Sequence, residues 1–261
     1  MKLMVNHQTH YSYTTEVQNS IQYIRMMPSN NAHQLVHHWH ISVPGMKETR
    51  KDAFHNIWMT SSQRDPYQHL TIMAQGIVEL TPARDDHGLH DLINPNVYLQ
   101  PTECTQCNAE MKAFAHQYVN VPTRPQLIKL AEALLEHVPY MPNSTSVHSS
   151  AIDAFQAKQG VCQDHTHIFI AMCKHLGLPT RYVSGYLYAQ NASHLASHAW
   201  AEVFIDQSWY CFDVSNQLFT PSAHVYVAVG RDYWDVAPVR GVREKGGVES
   251  MHSIVQVLSC T

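Results

Sequence analysis

The apolar residues of this chain change their period twice along its length, and that double switch limits the folds open to it. Leu35, Trp39, Ile41 and Val43 share one parity, with His38, His40 and Ser42 on the other. Leu70, Ile72, Ala74, Val78 and Leu80 repeat the pattern, with Gly76 placed where a bulge is expected. The spacing then becomes helical in Leu127, Leu130, Ala131, Leu134, Leu135 and Val138, behind the capping-box segment Thr123-Arg124-Pro125-Gln126. A second helix is expected from Cys162 to Leu176, stopped by Gly177 and Pro179. Strands are expected at about 181–188, 198–205, 208–214, 224–229 and 252–259. Helices followed by a run of strands predict an α+β fold and argue against a doubly wound parallel sheet. The expected organisation is a small antiparallel β-sandwich over residues 1–100 and a second domain over 101–261, with the Pro-, Asp- and His-rich stretch 81–105 as linker.

Composition narrows the function classes. With 44% hydrophobic and 15% charged residues the chain can bury a core. A net charge of -4 gives no footing for binding driven by phosphate neutralisation, so no nucleic-acid partner is expected. There is no apolar run of 18 residues, hence no membrane-spanning helix is expected, and Met1–Gln8 turns polar too early for a signal-peptide core. The expected location is cytoplasmic, where a thiol stays reduced. Six cysteines in 261 residues do not make a disulfide scaffold.

Three separated residues carry the chemistry. Cys162 lies in Gly160-Val161-Cys162-Gln163-Asp164, His198 opens His198-Ala199-Trp200-Ala201-Glu202-Val203, and Asp213 lies in Phe212-Asp213-Val214-Ser215-Asn216. A cysteine that opens a helix has free N–H groups and the positive end of the helix dipole beside it. Both favour the thiolate and can hold an oxyanion. The His–Asp relation follows from register. If Asp206-Gln207 is a two-residue hairpin loop, residues whose numbers sum to 413 are opposite, pairing Phe204 with Trp209 and Glu202 with Cys211. His198 then becomes the diagonal neighbour of Asp213 on one face, about 7–8 Å away at the backbone. Asp213 can accept from one ring nitrogen of His198 and leave the other for Cys162.

Other residues are candidates beside these. Gln163 and Asp164 fall in the first helical turn and Trp200 shares the face of His198, so all three are candidates for substrate contact. Gln156 is a candidate second oxyanion donor. His87, His90, Cys104 and Cys107 form an HxxH and CxxC set with the ligand types of a zinc site. Abundant histidines, 20 in all, and a single CxxC argue that these four bind no metal.

The segments Gly160–Asp164, Arg181-Tyr182-Val183-Ser184-Gly185-Tyr186, Ser197–Trp200 and Phe212–Asn216 resemble the bacterial branch of the transglutaminase-like superfamily. Gly230-Arg231-Asp232-Tyr233 and Asp235–Gly241 extend that likeness, and Tyr23-Ile24-Arg25-Met26-Met27-Pro28 resembles the β-domain that precedes the core in bacterial members. The resemblance implies a papain-like core acting through a thioester on an amide carbonyl. Cys162 would be the nucleophile, His198 the general base then acid, and Asp213 its orienter. It implies a peptide or protein substrate and hydrolysis, with amine transfer and a non-catalytic binding module as alternatives. No cofactor is expected, no calcium-loop pattern occurs, and the oligomeric state stays open. The chain departs from the family pattern twice. Val214-Ser215 stands where Pro-Thr is usual after the aspartate, and His165 stands where an aromatic residue is common.

Overall fold

The computed structural model describes residues 1–81, 93–189 and 197–260, and they form two sheets with helices packed on the second. The first sheet is built around one long strand, β1 (Lys2–Met27). Its first half pairs antiparallel with β5 (Tyr67–Leu80) on one side, and β5 pairs onward with β2 (Gln34–Ser42). Its second half pairs with β4 (Ile57–Gln63), which carries β3 (Met46–Lys51). Exposed Thr14, Thr15 and Glu16 mark the change of course, where the register with β5 breaks between Ser12 and Val17. The two halves close on a shared core that includes Val17, Ile24 and Met26 from one side and Ile41, Leu70 and Ile72 from the other.

A helical layer and a second antiparallel sheet follow. The helices are α1 (Ala109–Tyr118), α2 (Arg124–His137), α3 (Ala151–Ala157) and α4 (Cys162–His175). The sheet comprises β6 (Thr180–Leu187), β7 (His198–Ile205), β8 (Ser208–Phe212) and β9 (His224–Gly230), in the order β8-β7-β6-β9. The expected hairpin is present: Asp206 and Gln207 both have positive φ, as a two-residue loop of this twist requires, and Glu202 faces Cys211. A short α5 (Tyr233–Val236) follows β9. The last two strands, β10 (Val239–Lys245) and β11 (Glu249–Cys260), leave this unit and pair with the two halves of β1. The strand expected near 252–259 therefore completes the first sheet and not the second, so the units are not consecutive in sequence.

Local differences from expectation have local causes. Leu35 is 45% exposed, because the ladder with β5 skips His37 and the inward parity of β2 switches there. Gly76 is not itself a bulge. A Cβ there would meet the His38 carbonyl first and then the Trp39 ring, so the glycine lets the β2 backbone and its indole come close. At α2, Thr123 makes no side-chain cap, and Gln126 Oε1 instead accepts from the N–H groups of Asn120 and Val121. Between Asp164 and Lys174 every residue of α4 is buried, so it is a central helix enclosed on all sides. The main core gathers this helix, α2, the inner face of the second sheet, and Leu3, Val5, Val255 and Val257 of the first sheet. Among the described residues no helix is long and apolar enough to cross a membrane.

Candidate active site

The turn that presents Cys162 is shaped from beneath. Asp164 folds its carboxylate back over the turn, where Oδ2 accepts from the Val161 N–H at 2.8 Å and from the Thr145 hydroxyl at 2.6 Å. This close approach requires glycine at 160, where a Cβ would stand 2.7 Å from the Asp164 Cβ. Burial pushes the Asp164 carboxyl above its ordinary range, with those two hydrogen bonds working in the opposite sense. The result places Cys162 at the first position of α4, half-buried, next to the N–H groups of the first turn.

His198 opens β7 and lies stacked on Trp200 two residues on, with ring centroids 5.9 Å apart. Its Nε2 is 2.7 Å from Asp213 Oδ2. Burial opposes charging of His198, but the charge and hydrogen bond of Asp213, joined by those of Cys162, outweigh it and lift the imidazole to about 10. Asp213 is fully buried, which by itself would favour its neutral form. The charge and hydrogen bond of His198, with those of His224, hold its carboxyl well below the usual carboxylate range. Asn216 completes the surroundings: its N–H donates to Asp213 Oδ1 at 3.2 Å and its Nδ2 to Oδ2 at 2.9 Å. Asp213, just past the end of β8, thus holds the His198 ring of β7, and Cys162 at the start of α4 lies close enough to contribute to the His198 shift. With Nε2 of His198 committed to the carboxylate, Nδ1 is the nitrogen left for the sulfur.

The other candidates do different work. Trp200 is wholly buried, packed edge-on against His224 and Tyr226, so it backs the His198 ring and does not wall a substrate cleft. Asp164, equally buried, supports the turn and cannot reach a substrate. Gln163 donates from Nε2 to the Val147 carbonyl at 3.2 Å and ties the 139–150 loop to the start of α4. Gln156 is an exposed residue of α3. His87 and His90 lie outside the described residues. Cys104 is buried and Cys107 half-buried, with burial pushing both thiols up to about 11. Among the described residues, His198, Asp213 and His224 are the group whose ligand-type atoms converge, all within 4.8 Å of one another. His224 and Asn216 escaped sequence reasoning. The one signal for His224 was a polar residue on the inward parity of an apolar strand, and a histidine-rich chain hides it.

Helices packed on an antiparallel sheet, with a cysteine at a helix start facing a His–Asp pair on neighbouring strands, define the papain-like class of fold. Residues 112–214 match the model of the transglutaminase-like superfamily, and residues 3–79 that of the bacterial transglutaminase-like N-terminal region. The chain thus carries a transglutaminase-like core behind a bacterial transglutaminase-like N-terminal region. Relatives include the uncharacterized protein ML0607 of Mycobacterium leprae, 28% identical over 274 residues that cover 98% of each chain. Mb2599c of Mycobacterium bovis is 28% identical, covering 91% of this chain and 86% of its own. A candidate cysteine protease from Cytophaga hutchinsonii, solved at 1.9 Å, has the same fold with a TM-score of 0.80 and 20% identity, covering 100% of this chain and 92% of that one.

Proposed function

We propose that this protein is a thiol-dependent acyl-transfer enzyme that hydrolyses a peptide or isopeptide bond. The observation that carries this reading is the His198 ring held at Nε2 by the buried Asp213 carboxylate, beside a cysteine at the start of α4. The Cys162 sulfur attacks the amide carbon, and the resulting oxyanion is met by N–H groups at the α4 start. His198 holds the proton of the thiol at Nδ1 and delivers it to the nitrogen of the departing amine. A thioester remains on Cys162. Water attacks it, His198 takes a proton from that water, and the acid leaves as the thiol is restored. Asp213 fixes the ring throughout and keeps Nε2 protonated. The cytoplasm, where Cys162 stays reduced, is the compartment this chemistry favours.

Amine transfer is the second reading, since an amine can replace water at the same thioester. Two measurements test the scheme. Cys162 alkylates with iodoacetamide at pH 6 faster than the other five cysteines, and His198→Ala slows it. Equal slow labelling of all six identifies a binding module instead. Incubation of a peptide substrate library with a labelled primary amine separates the two reactions: hydrolysis without incorporation supports the peptidase, and incorporation of the amine supports the transferase.

A further inference from the structure

Among the described residues β9 has one strand neighbour, β6, and its other edge is closed by side chains from the start of β2 and from two loops of the first sheet. The His33 Nε2–H donates to the His224 carbonyl at 3.1 Å. Gln34 mimics a strand: its Nε2 donates to the Tyr226 carbonyl and its Oε1 accepts from the Tyr226 N–H, each at 2.8 Å. Asn56 repeats the arrangement at Val229, again with both contacts at 2.8 Å. The spacing 224, 226, 229 follows from a bulge. The β6 ladder passes from Ala228 to Tyr226, so Val227 is the extra residue and the outward parity shifts by one. Three residues of the amino-terminal unit therefore fix the strand that begins with His224.

His224 has no solvent exposure. Its Nε2 lies 3.1 Å from Asp213 Oδ2, the same oxygen that accepts from His198. Among the described residues its Nδ1 has no hydrogen-bond partner. A doubly protonated ring would bury an unmatched N–H, so the neutral tautomer with hydrogen on Nε2 fits this setting, and burial pushes the imidazole in the same direction. His224 is thus a fixed neutral donor to the carboxylate behind His198. A carboxylate held by His224 on one side and Asn216 on the other cannot turn away from the His198 ring.

We propose that His224 is a positioning residue of this site: it locks the orientation of Asp213, and through it the tautomer and aim of His198, while His33, Gln34 and Asn56 hold His224 in place. The amino-terminal unit is on this account a working part of the site. The inference rests on the acyl-transfer reading of Cys162, His198 and Asp213. The charged and titratable groups facing this cluster are Asp213, His198 and Glu202, with Cys162 beyond His198, His165 acting on Asp213, and His33 on the carbonyl side of His224. Glu202 is held by Arg181 at 2.6 Å and by the Tyr226 hydroxyl at 2.7 Å.

The test is the rate of Cys162 alkylation by iodoacetamide from pH 4 to 9, in the unaltered protein and in His198→Ala, His224→Phe and His224→Gln. Gln keeps an N–H donor near the Nε2 position, and Phe does not. His224→Phe is expected to lower the pH 6 rate and displace the pH profile, the rate by about tenfold to a hundredfold as for one lost hydrogen bond to a charged group. His224→Gln is expected to stay within about threefold of the unaltered protein. A Phe variant that is folded by circular dichroism and keeps the unaltered profile overturns the proposal. If the unaltered protein itself shows no His198-dependent rate, the acyl-transfer reading fails first, and the two failures are told apart. Histidine-selective 15N spectra of the unaltered protein test the clamp without any variant. His224 should remain the neutral Nε2–H tautomer from pH 5 to 8, and an ordinary titration near 6.5 overturns the proposal.

Discussion

The two departures from the family pattern are one structural unit, and a double-mutant cycle can measure it. His165 is fully buried on α4, with its Nε2–H donating to the Val138 carbonyl at 2.7 Å. A carbonyl can only accept, so Nδ1 is the acceptor, and the Ser215 hydroxyl donates to it at 2.8 Å. A phenylalanine at 165 could make neither bond. His165→Phe leaves the buried Val138 carbonyl unpaired, while the half-buried Ser215 hydroxyl can turn to water, so a cost of about 1–3 kcal/mol is expected. Ser215→Ala leaves Nδ1 of a buried ring without a donor, at about 1–2 kcal/mol. In the double variant that orphan is gone, so it should be about as stable as His165→Phe alone, non-additive by about 1–2 kcal/mol. Urea unfolding followed by tryptophan fluorescence reads each ΔΔG, and each kcal/mol should move the thermal midpoint by about 2–4 °C in a chain of this size. Effects that add to within about 0.5 kcal/mol would refute the pairing.

Three further outcomes follow from the geometry. His7, His165, His167 and His224 are buried with their imidazoles pushed down by desolvation, His7 to about 4 and His167 to about 3. The unfolded chain binds protons there first, so stability is full above pH 6.5. It is lost as pH falls, by up to about 1.4 kcal/mol per pH unit for each histidine. Urea midpoints at pH 7.5, 6 and 5 check this, and a flat profile contradicts it. His198 acts in the opposite sense, its contribution being present below 6.5 and lost as pH rises through about 10. Gly185→Ala should prevent folding or displace β9, since a Cβ there would meet the Val225 carbonyl, a backbone atom that cannot swing aside; soluble protein with an unchanged melting point would contradict this. Gln34→Leu orphans the Tyr226 N–H and carbonyl and should cost about 2–5 kcal/mol. Exchange of the Tyr226 amide should accelerate at least tenfold by hydrogen exchange, and unchanged protection would contradict the strand-mimic role.

What could be read in the sequence was what short-range physics decides. The 205–208 hairpin was legible because a two-residue loop fixes its own register, and that register brought His198 and Asp213 to one face. The start of α4 was legible from the turn before Cys162, and its end from Gly177, whose φ is +80°. What depends on distant partners was hidden. β10 is largely exposed and has no alternation to detect. β11 looked like another strand of the second sheet because nothing within it names β1 as its neighbour. The switch of parity at His37 depends on β5 across the ladder, and the burial of Trp200 depends on His224 and Tyr226. His224 itself could be singled out only once the ends of β8 and β9 were side by side.

The pairing of Lys2 with Cys260 and of Tyr13 with Glu249 sets the order in which the molecule can be assembled. As the chain is synthesised, β1 must wait with one flank bare until residues 249–260 have emerged, and helices and strands between 109 and 230 can form meanwhile. The amino-terminal half of the sheet is therefore begun first and finished last. A ribosome stalled short of residue 249 would hold a chain whose second sheet can be complete while its first strand still lacks a partner.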